Sequence, residues 1–315
     1  MKNQNLICKA CEKEFETERQ LHSHLRAHSL RMVEYYQKFY PRYDLYDGKI
    51  IKFKNKKQYF NSDFNSRTNL SRWLKSKGDS EAQKYCSSLI QKRINEKEME
   101  YTPSQVELKS LLIPPVQYYN ELFGDYYKLC ESLGLKNKYT IPQDIIEAYE
   151  WKKPEYEIFI DTREQNPLKF QGRNTRVVTL KFGDYAFSSS SATCNCCVER
   201  KSLTDLIGTM SGGYERFIKE IKRAEEAEAN LIVLVEDKIQ NVLSFRHLPY
   251  VSKKIKASPD FIFHRIRCLI KRYPFIQFLF VKGRKECSRV VEKIFTSGCI
   301  YKKIDLQLAY DMKIL

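Results

Sequence analysis

The sequence predicts an α/β protein, with a mixed β-sheet flanked by helices in its C-terminal half, preceded by a small ββα unit and a helical region. Three observations lead there. Between residues 157 and 201, the apolar runs EIFIDTRE, VVTLKFGDYAF and CCVERK each end in charged residues, as locally paired strands do. Beyond them, apolar runs such as NLIVLVED and FIQFLFVKG alternate with amphipathic helical stretches, the order of an α/β layer. Near the N-terminus, two cysteines and two histidines stand at the spacing of a tetrahedral metal site.

That site comes first in the chain. Cys8-x2-Cys11-x12-His24-x3-His28 places two thiolates on a hairpin and two imidazoles a turn apart on a helix, with Phe15 and Leu21 left to make a core. Residues 1–30 resemble a C2H2 zinc finger, and Zn²⁺ is the expected ion. Docked like a DNA-reading finger, it would turn Thr17, Gln20 and Ser23 to bases, with Gln20 suited to adenine. A structural or protein-contacting finger remains the alternative, since one finger reads only about three base pairs.

Residues 31–100 form a connecting region, basic and aromatic at 35–60 and helical in pattern over 66–100. The stretch 35–60 suits either a phosphate backbone with aromatic stacking or a solvated connector. Residues 101–150 form a small helical region: over 102–135 three short helices are expected, with Thr102 capping the first, Pro114-Pro115 stopping it and Gly134 closing the last. Phe123-Gly124 and Gly134-Leu135 resemble the helical repeat found beside homing-type endonuclease domains, which implies a DNA contact; a plain helical linker is the alternative. The segment 151–157 reads as a linker, and SSSSA at 188–192 as a loop tip.

Composition narrows the partners. With 55 Lys+Arg against 39 Asp+Glu, the chain carries a formal charge of +16 and a pI near 9.2, so a polyanion, DNA first, is the expected partner. No stretch suits a bilayer or a signal peptide, and ten grouped cysteines suit a reducing compartment. An intracellular setting is expected, in the cytoplasm of a bacterial or virus-infected cell or in a nucleus.

The chemistry gathers at three strand ends: Asp161-Thr162-Arg163-Glu164, Gly183-Asp184-Tyr185 and Glu199-Arg200-Lys201. Carboxylates suit a hard divalent cation, which polarises a phosphoryl oxygen and acidifies bound water, while a nearby lysine steadies that water or the developing charge. Over residues 155–305 the chain resembles the ERCC4-type nuclease domain of XPF-like structure-specific endonucleases. The family signature is matched by Gly183-Asp184-Tyr185 and by Glu199-Arg200-Lys201 with Asp205, and its upstream element by Asp161 to Glu164. That resemblance implies a restriction-endonuclease-like fold and a Mg²⁺- or Mn²⁺-dependent DNA endonuclease. In it, Asp184 and Glu199 hold the metal, Asp161 joins the acidic cluster, and Lys201 positions water. Arg163, Glu164, Arg200 and Asp205 support the site, Arg216 in YERF contacts nucleic acid, and Asp205 serves equally as a helix-start charge. Glu236, which ends LIVLVE, also falls where relatives have an acid.

Selectivity for branched, flap or junction DNA and a homodimer through the nuclease domain complete the implication. The sequence closes at Leu315 without the tandem helix-hairpin-helix region of eukaryotic relatives, so their junction preference and heterodimerisation are not expected to transfer. The alternatives are an inactive DNA-binding module and a zinc-finger regulator. Cys194, Cys196 and Cys197 read as packing thiols rather than a second metal site, and His247 and His264 as isolated.

Overall fold

A computed structural model describes residues 6–41, 50, 52–55, 76, 78–111, 113–142, 156–188, 195–247, 251–252, 255–297 and 300–315. The stretches expected at 35–60, 66–100, 151–157 and 188–192 lie partly outside the described residues, and Cys194 lies wholly outside them.

Strands β1 (Leu6–Ile7) and β2 (Glu14–Phe15) pair as an antiparallel hairpin, with Leu6 opposite Phe15. Helix α1 (Glu18–His24) starts at Thr17, whose backbone is extended and whose hydroxyl accepts the Gln20 amide, while Gln20 Oε1 accepts the Thr17 amide in return (3.1 Å). This reciprocal capping satisfies donors that the first helical turn cannot. A 3₁₀ turn (Leu25–His28) then leads into α2 (Met32–Phe39), which folds back onto the hairpin. There the buried Tyr35 accepts the Lys9 amide through its hydroxyl (2.8 Å) and joins Cys8, Leu21 and Leu25 in a small core.

Helix α3 (Asp79–Lys97) precedes the three short helices expected over 102–135: α4 (Gln105–Ser110), α5 (Val116–Phe123) and α6 (Tyr126–Ser132). The cap of α4 is not Thr102. Ser104 takes that role in a capping box with Glu107, and the Thr102 hydroxyl donates to Asn137 instead (2.7 Å). Thr102 lies two residues too early because its backbone is bonded to Lys136 in a bridge with the chain leaving α6. Gly124 (φ +83°) ends α5 in a conformation that a side chain would strain, and Asp125 at once caps α6.

The C-terminal half holds the sheet. In chain order its strands are β3 (Glu157–Asp161), β4 (Thr175–Val178), β5 (Tyr185–Ser188) and β6 (Cys196–Lys201). Helices α7 (Leu203–Met210) and α8 (Tyr214–Glu226) follow, then β7 (Asn230–Val235), α9 (Ile239–Leu243), α10 (Pro259–Arg272) and β8 (Ile276–Phe280). Helices α11 (Gly283–Thr296) and α12 (Leu306–Asp311) close the chain. The sheet order is β4-β3-β5-β6-β7-β8; β5 runs antiparallel to both neighbours and the other pairs are parallel, giving the expected mixed sheet.

Both faces are covered. Phe217, Ile221 and Ala224 of α8 pack with α7 and α10 on one face, while Val290, Val291 and Ile294 of α11 pack on the other. This two-sided cover explains why β7 is apolar along its length. Beside β8 the Gln307 side chain accepts the Phe280 amide (2.8 Å), a bond that an unpaired edge would leave open.

The helical region is tied to this end of the sheet. Asp305 accepts the Gln105 amide (2.6 Å), Gln105 Nε2 donates to Asp311 (2.7 Å), and Lys109 pairs with Asp311. Leu308 of α12 lies in the same core as Leu108, Tyr119 and Tyr126. No helix among the described residues is long and apolar enough to cross a membrane.

Candidate active site

Strand alternation explains why acid, arginine and lysine are neighbours in the sequence. Successive side chains of β6 point to opposite faces. Cys197 packs with α7 and α8, so Glu199 and Lys201 share that face; Cys196 and Val198 pack on the α11 side, as does Arg200. Cys196 and Cys197 therefore serve separate cores, as packing thiols would.

On the α8 face, the buried Lys201 donates from Nζ to Glu199 Oε1 (2.7 Å), and its ammonium lies 5.0 Å from the Phe217 ring centre. Asp184 comes beside them because β5 pairs with β6. Its amide donates to Val198 O (2.8 Å), and its Oδ2 accepts the Arg200 amide (2.7 Å). Glu220 reaches in from α8, its Oε1 accepting the Gly183 amide (3.2 Å). Burial, with Glu220 and Glu164 adding repulsion, pushes the Asp184 carboxyl up to about 6 against the pull of the Arg200 amide and Lys201. Burial first, and then Asp184 and Glu220, push Glu199 up to about 8 despite Lys201.

Gly183 makes this approach possible. Its φ of +72° disfavours a side chain, and a Cβ there would lie 3.1 Å from Cys197 Cβ and 3.3 Å from Val198 O. Gly183→Ala is expected to cost roughly 1–3 kcal/mol, since a left-handed conformation and a backbone contact both resist the methyl. Urea unfolding checks this; an unchanged midpoint would refute the packing account.

Asp161 ends β3 fully buried and fully bonded. Its Oδ1 accepts the Arg163 amide (2.8 Å) and Nε (2.6 Å), and its Oδ2 accepts the Leu180 amide (2.7 Å). Burial would raise its pKa, but Arg163 and those amides outweigh it and hold the carboxyl below its ordinary range. Asp161 thus sets the loop geometry at the site, with both oxygens engaged.

The opposite face of β6 carries an ion-pair network. Arg200 donates to Glu164 from Nε and NH2 (both 3.1 Å) and to Glu236 from NH1 (2.6 Å), joining the β3 loop to the end of β7. Tyr185 adds its hydroxyl to Glu164 (3.3 Å). Arg216 lies exposed in the first turn of α8, one turn before Glu220 and on the same side of the helix. Asp205 exchanges hydrogen bonds with the α7 cap Ser202 (hydroxyl to Oδ2 2.6 Å, amide to Oγ 3.1 Å), which is a helix-start role.

Glu220 escaped the sequence reading. Its only trace there is an acid placed four residues after Arg216, at the margin of the apolar stripe of α8.

The donor sets of the two metal candidates differ. In the finger, Cys8, Cys11, His24 and His28 bring their ligand atoms within 4.8 Å of one another, and among the described residues no other such group forms. Cys11 Sγ to His24 Nε2 is 3.2 Å and Cys8 Sγ to His28 Nε2 is 3.6 Å, near the ligand separations of a tetrahedral site. The carboxylates of Asp184, Glu199 and Glu220 form no such group. Asp184 Oδ1 and Glu199 Oε2 accept no hydrogen bond from the described residues, so hard oxygen ligands face a cluster short of positive charge. That fits Mg²⁺, which keeps several waters and takes one or two carboxylates.

Residues 160–294 match the family model for the ERCC4 domain. Among solved structures, XPF from Aeropyrum pernix is similar, with 19% identity and a TM-score of 0.33 over 44% of this chain and 63% of that one. The same protein in complex with DNA gives 19% identity and a TM-score of 0.33 over 45% and 62%. The chain thus spans less than two thirds of these relatives' length. No curated protein sequence matches the chain. The domain match supports a nuclease or DNA-processing role.

Proposed function

We propose that the ERCC4 domain at residues 160–294 makes this chain a divalent-metal-dependent DNA endonuclease. The observation that carries the reading is the convergence of Asp184 and Glu199, with Lys201 bonded to Glu199, on one face of β6. Asp184 and Glu199 would hold Mg²⁺ or Mn²⁺, with Glu220 bearing on the ion from α8. When bound, the ion polarises a phosphodiester and makes water acidic enough to attack it.

The residues of the chain do the rest. Lys201 is held by Glu199 where its ammonium can donate to an attacking water or to a phosphate oxygen. Arg163 is exposed beside the acids with its guanidinium braced on Asp161, a fit for a neighbouring phosphate. Arg216 extends the same cationic face along α8. Arg200, Glu164 and Glu236 hold the strand ends in register and touch no substrate. The finger would bind Zn²⁺, and with the helical region would add DNA affinity, in keeping with the +16 charge.

Selectivity for branched, flap or junction DNA is the finer part of this reading. It is tested by incubating the purified chain with labelled single-stranded, duplex, flap, fork and four-way substrates, with Mg²⁺ or EDTA. Cleavage only with the metal, favouring one branched form, is the expected result. No cleavage of any substrate with Mg²⁺ or Mn²⁺ would refute the enzymatic reading.

A further inference from the structure

The segment 180–183 carries Asp184 to the site, and two arginines grip its backbone. Arg163 NH2 donates to Leu180 O (2.9 Å), and Arg223 Nε donates to Lys181 O (3.2 Å). Asp161 and Glu220 take the amides beside them, those of Leu180 (2.7 Å) and Gly183 (3.2 Å). Arg163 reaches in from the end of β3. Arg223 reaches in from α8, 42 residues further along the chain than the carbonyl it holds.

An exposed arginine gains little from one carbonyl, because water satisfies that carbonyl as well and ordering the long side chain costs entropy. Arg223 is exposed, and its two terminal nitrogens bond to none of the described residues. Its guanidinium is thus fixed at one edge and open at the other, so a second acceptor binds with less entropy to lose. Lys181, whose carbonyl is held, is itself exposed and forms no ion pair among the described residues.

Charge decides which acceptor fits. Glu220 lies one turn before Arg223 on the same side of α8, and Arg216 one turn before that, so cation, acid and cation alternate past the site. The carboxylates of Asp184, Glu199 and Glu220 repel a phosphate backbone except where a metal neutralises them. Phosphates on either side of the one being cut therefore need cations of their own. We infer that Arg223 and Lys181 bind the backbone of the strand being cut, beside the scissile phosphate, and that Arg223 is a positioning residue. A phosphate on its open edge fixes the guanidinium, which holds the Lys181 carbonyl and with it the Gly183-Asp184 turn. The positioning role rests on the nuclease reading above; the phosphate contact is measured without cleavage.

The test uses the full zinc-loaded chain and a fluorescent flap DNA, first without Mg²⁺. Arg223→Gln should lower the slope of log K against log salt by about 0.9, the worth of one phosphate contact, and adding Lys181→Gln should lower it by about 1.8 in all. Replacing phosphates one at a time by neutral methylphosphonates locates the contact. One linkage near the cut should weaken binding by the parent when neutralised and be silent in Arg223→Gln. With Mg²⁺, Arg223→Lys should keep the parental salt slope yet cut about tenfold more slowly, because one ammonium cannot hold carbonyl and phosphate as a fork does. A parent that cut no substrate, while that linkage fell silent in Arg223→Gln, would refute the nuclease reading and uphold the phosphate contact. An unchanged salt slope in Arg223→Gln, or an equal linkage penalty in parent and variant, would overturn the contact. Parental cutting by Arg223→Lys would overturn the positioning role.

Discussion

Replacing Glu199 with glutamine is expected to lower DNA cleavage on the order of a thousandfold, because the substitution keeps the side-chain volume and removes the charge a metal requires. DNA binding should survive, since the cationic surface is untouched; parental cleavage by the variant would refute the site. A second readout needs no turnover. Burial, with Asp184 and Glu220 nearby, pushes the Glu199 carboxyl up to about 8, above the ordinary carboxylate range it would have outside the fold. A raised carboxyl stabilises the fold while protonated, fully so below the ordinary carboxylate range, and that contribution is lost as pH rises through about 8. The metal-free protein should therefore lose thermal stability across this window, and the glutamine variant should lose less. Mg²⁺ should raise the midpoint of the parent more at pH 8 than at pH 6, and that gain should vanish in Glu199→Gln. Asp184→Asn should behave alike over a lower window, its carboxyl lying near 6. Glu220→Gln, acting from the neighbouring helix, is expected to weaken metal affinity roughly 10- to 100-fold, the usual worth of an outer partner.

How much of this was legible in the sequence depends on how far apart the partners lie. Glu199, Arg200 and Lys201 could be read together because strand period and chemistry coincide within three residues. What the period adds is that Arg200 faces away, to Glu164 and Glu236, so the run serves two faces. Gly183 and Asp184 could be read because a tight turn and an acid adjoin. Glu220 could not, since its place depends on how α8 packs across the sheet, and helical period alone puts many half-buried acids beside an apolar stripe. The seating of the helical region was also hidden. It rests on Gln105 meeting Asp305 and Asp311, contacts made across some 200 residues of chain that no local pattern announces. The cap of α4 failed for a smaller reason: Thr102 and Ser104 are both capping residues, and a tertiary bond to Asn137 takes the former.

Removing Cys11 should unfold the N-terminal unit while the sheet domain stays folded. Cys11 is the ligand to change because it is exposed, whereas Cys8 is buried in the small core and its loss would confound packing with coordination. Cys11→Ser therefore takes away a ligand and little else. The four ligand atoms converge in a way that suits a cation: His24 Nε2 and His28 Nε2 lie 3.0 Å apart, and both lie 3.2 Å from Cys11 Sγ. Structural zinc sites supply about 10–16 kcal/mol to units of this size, more than so small a core provides. Chelation should thus abolish the helical signal of α1 and α2 and expose residues 6–41 to protease, as should Cys11→Ser. The transition of the sheet domain should stay in place, because the N-terminal core shares no residue with either core of the sheet. A finger that kept its helix after complete metal removal would refute the metal's structural role. Base reading needs a separate control, since Gln20 Oε1 is already engaged by the Thr17 and Glu16 amides. Gln20→Ala should loosen the start of α1 by about 1 kcal/mol whether or not DNA is bound. Only a loss of affinity beyond that of an equally destabilising cap variant, Thr17→Ala, would assign Gln20 to DNA.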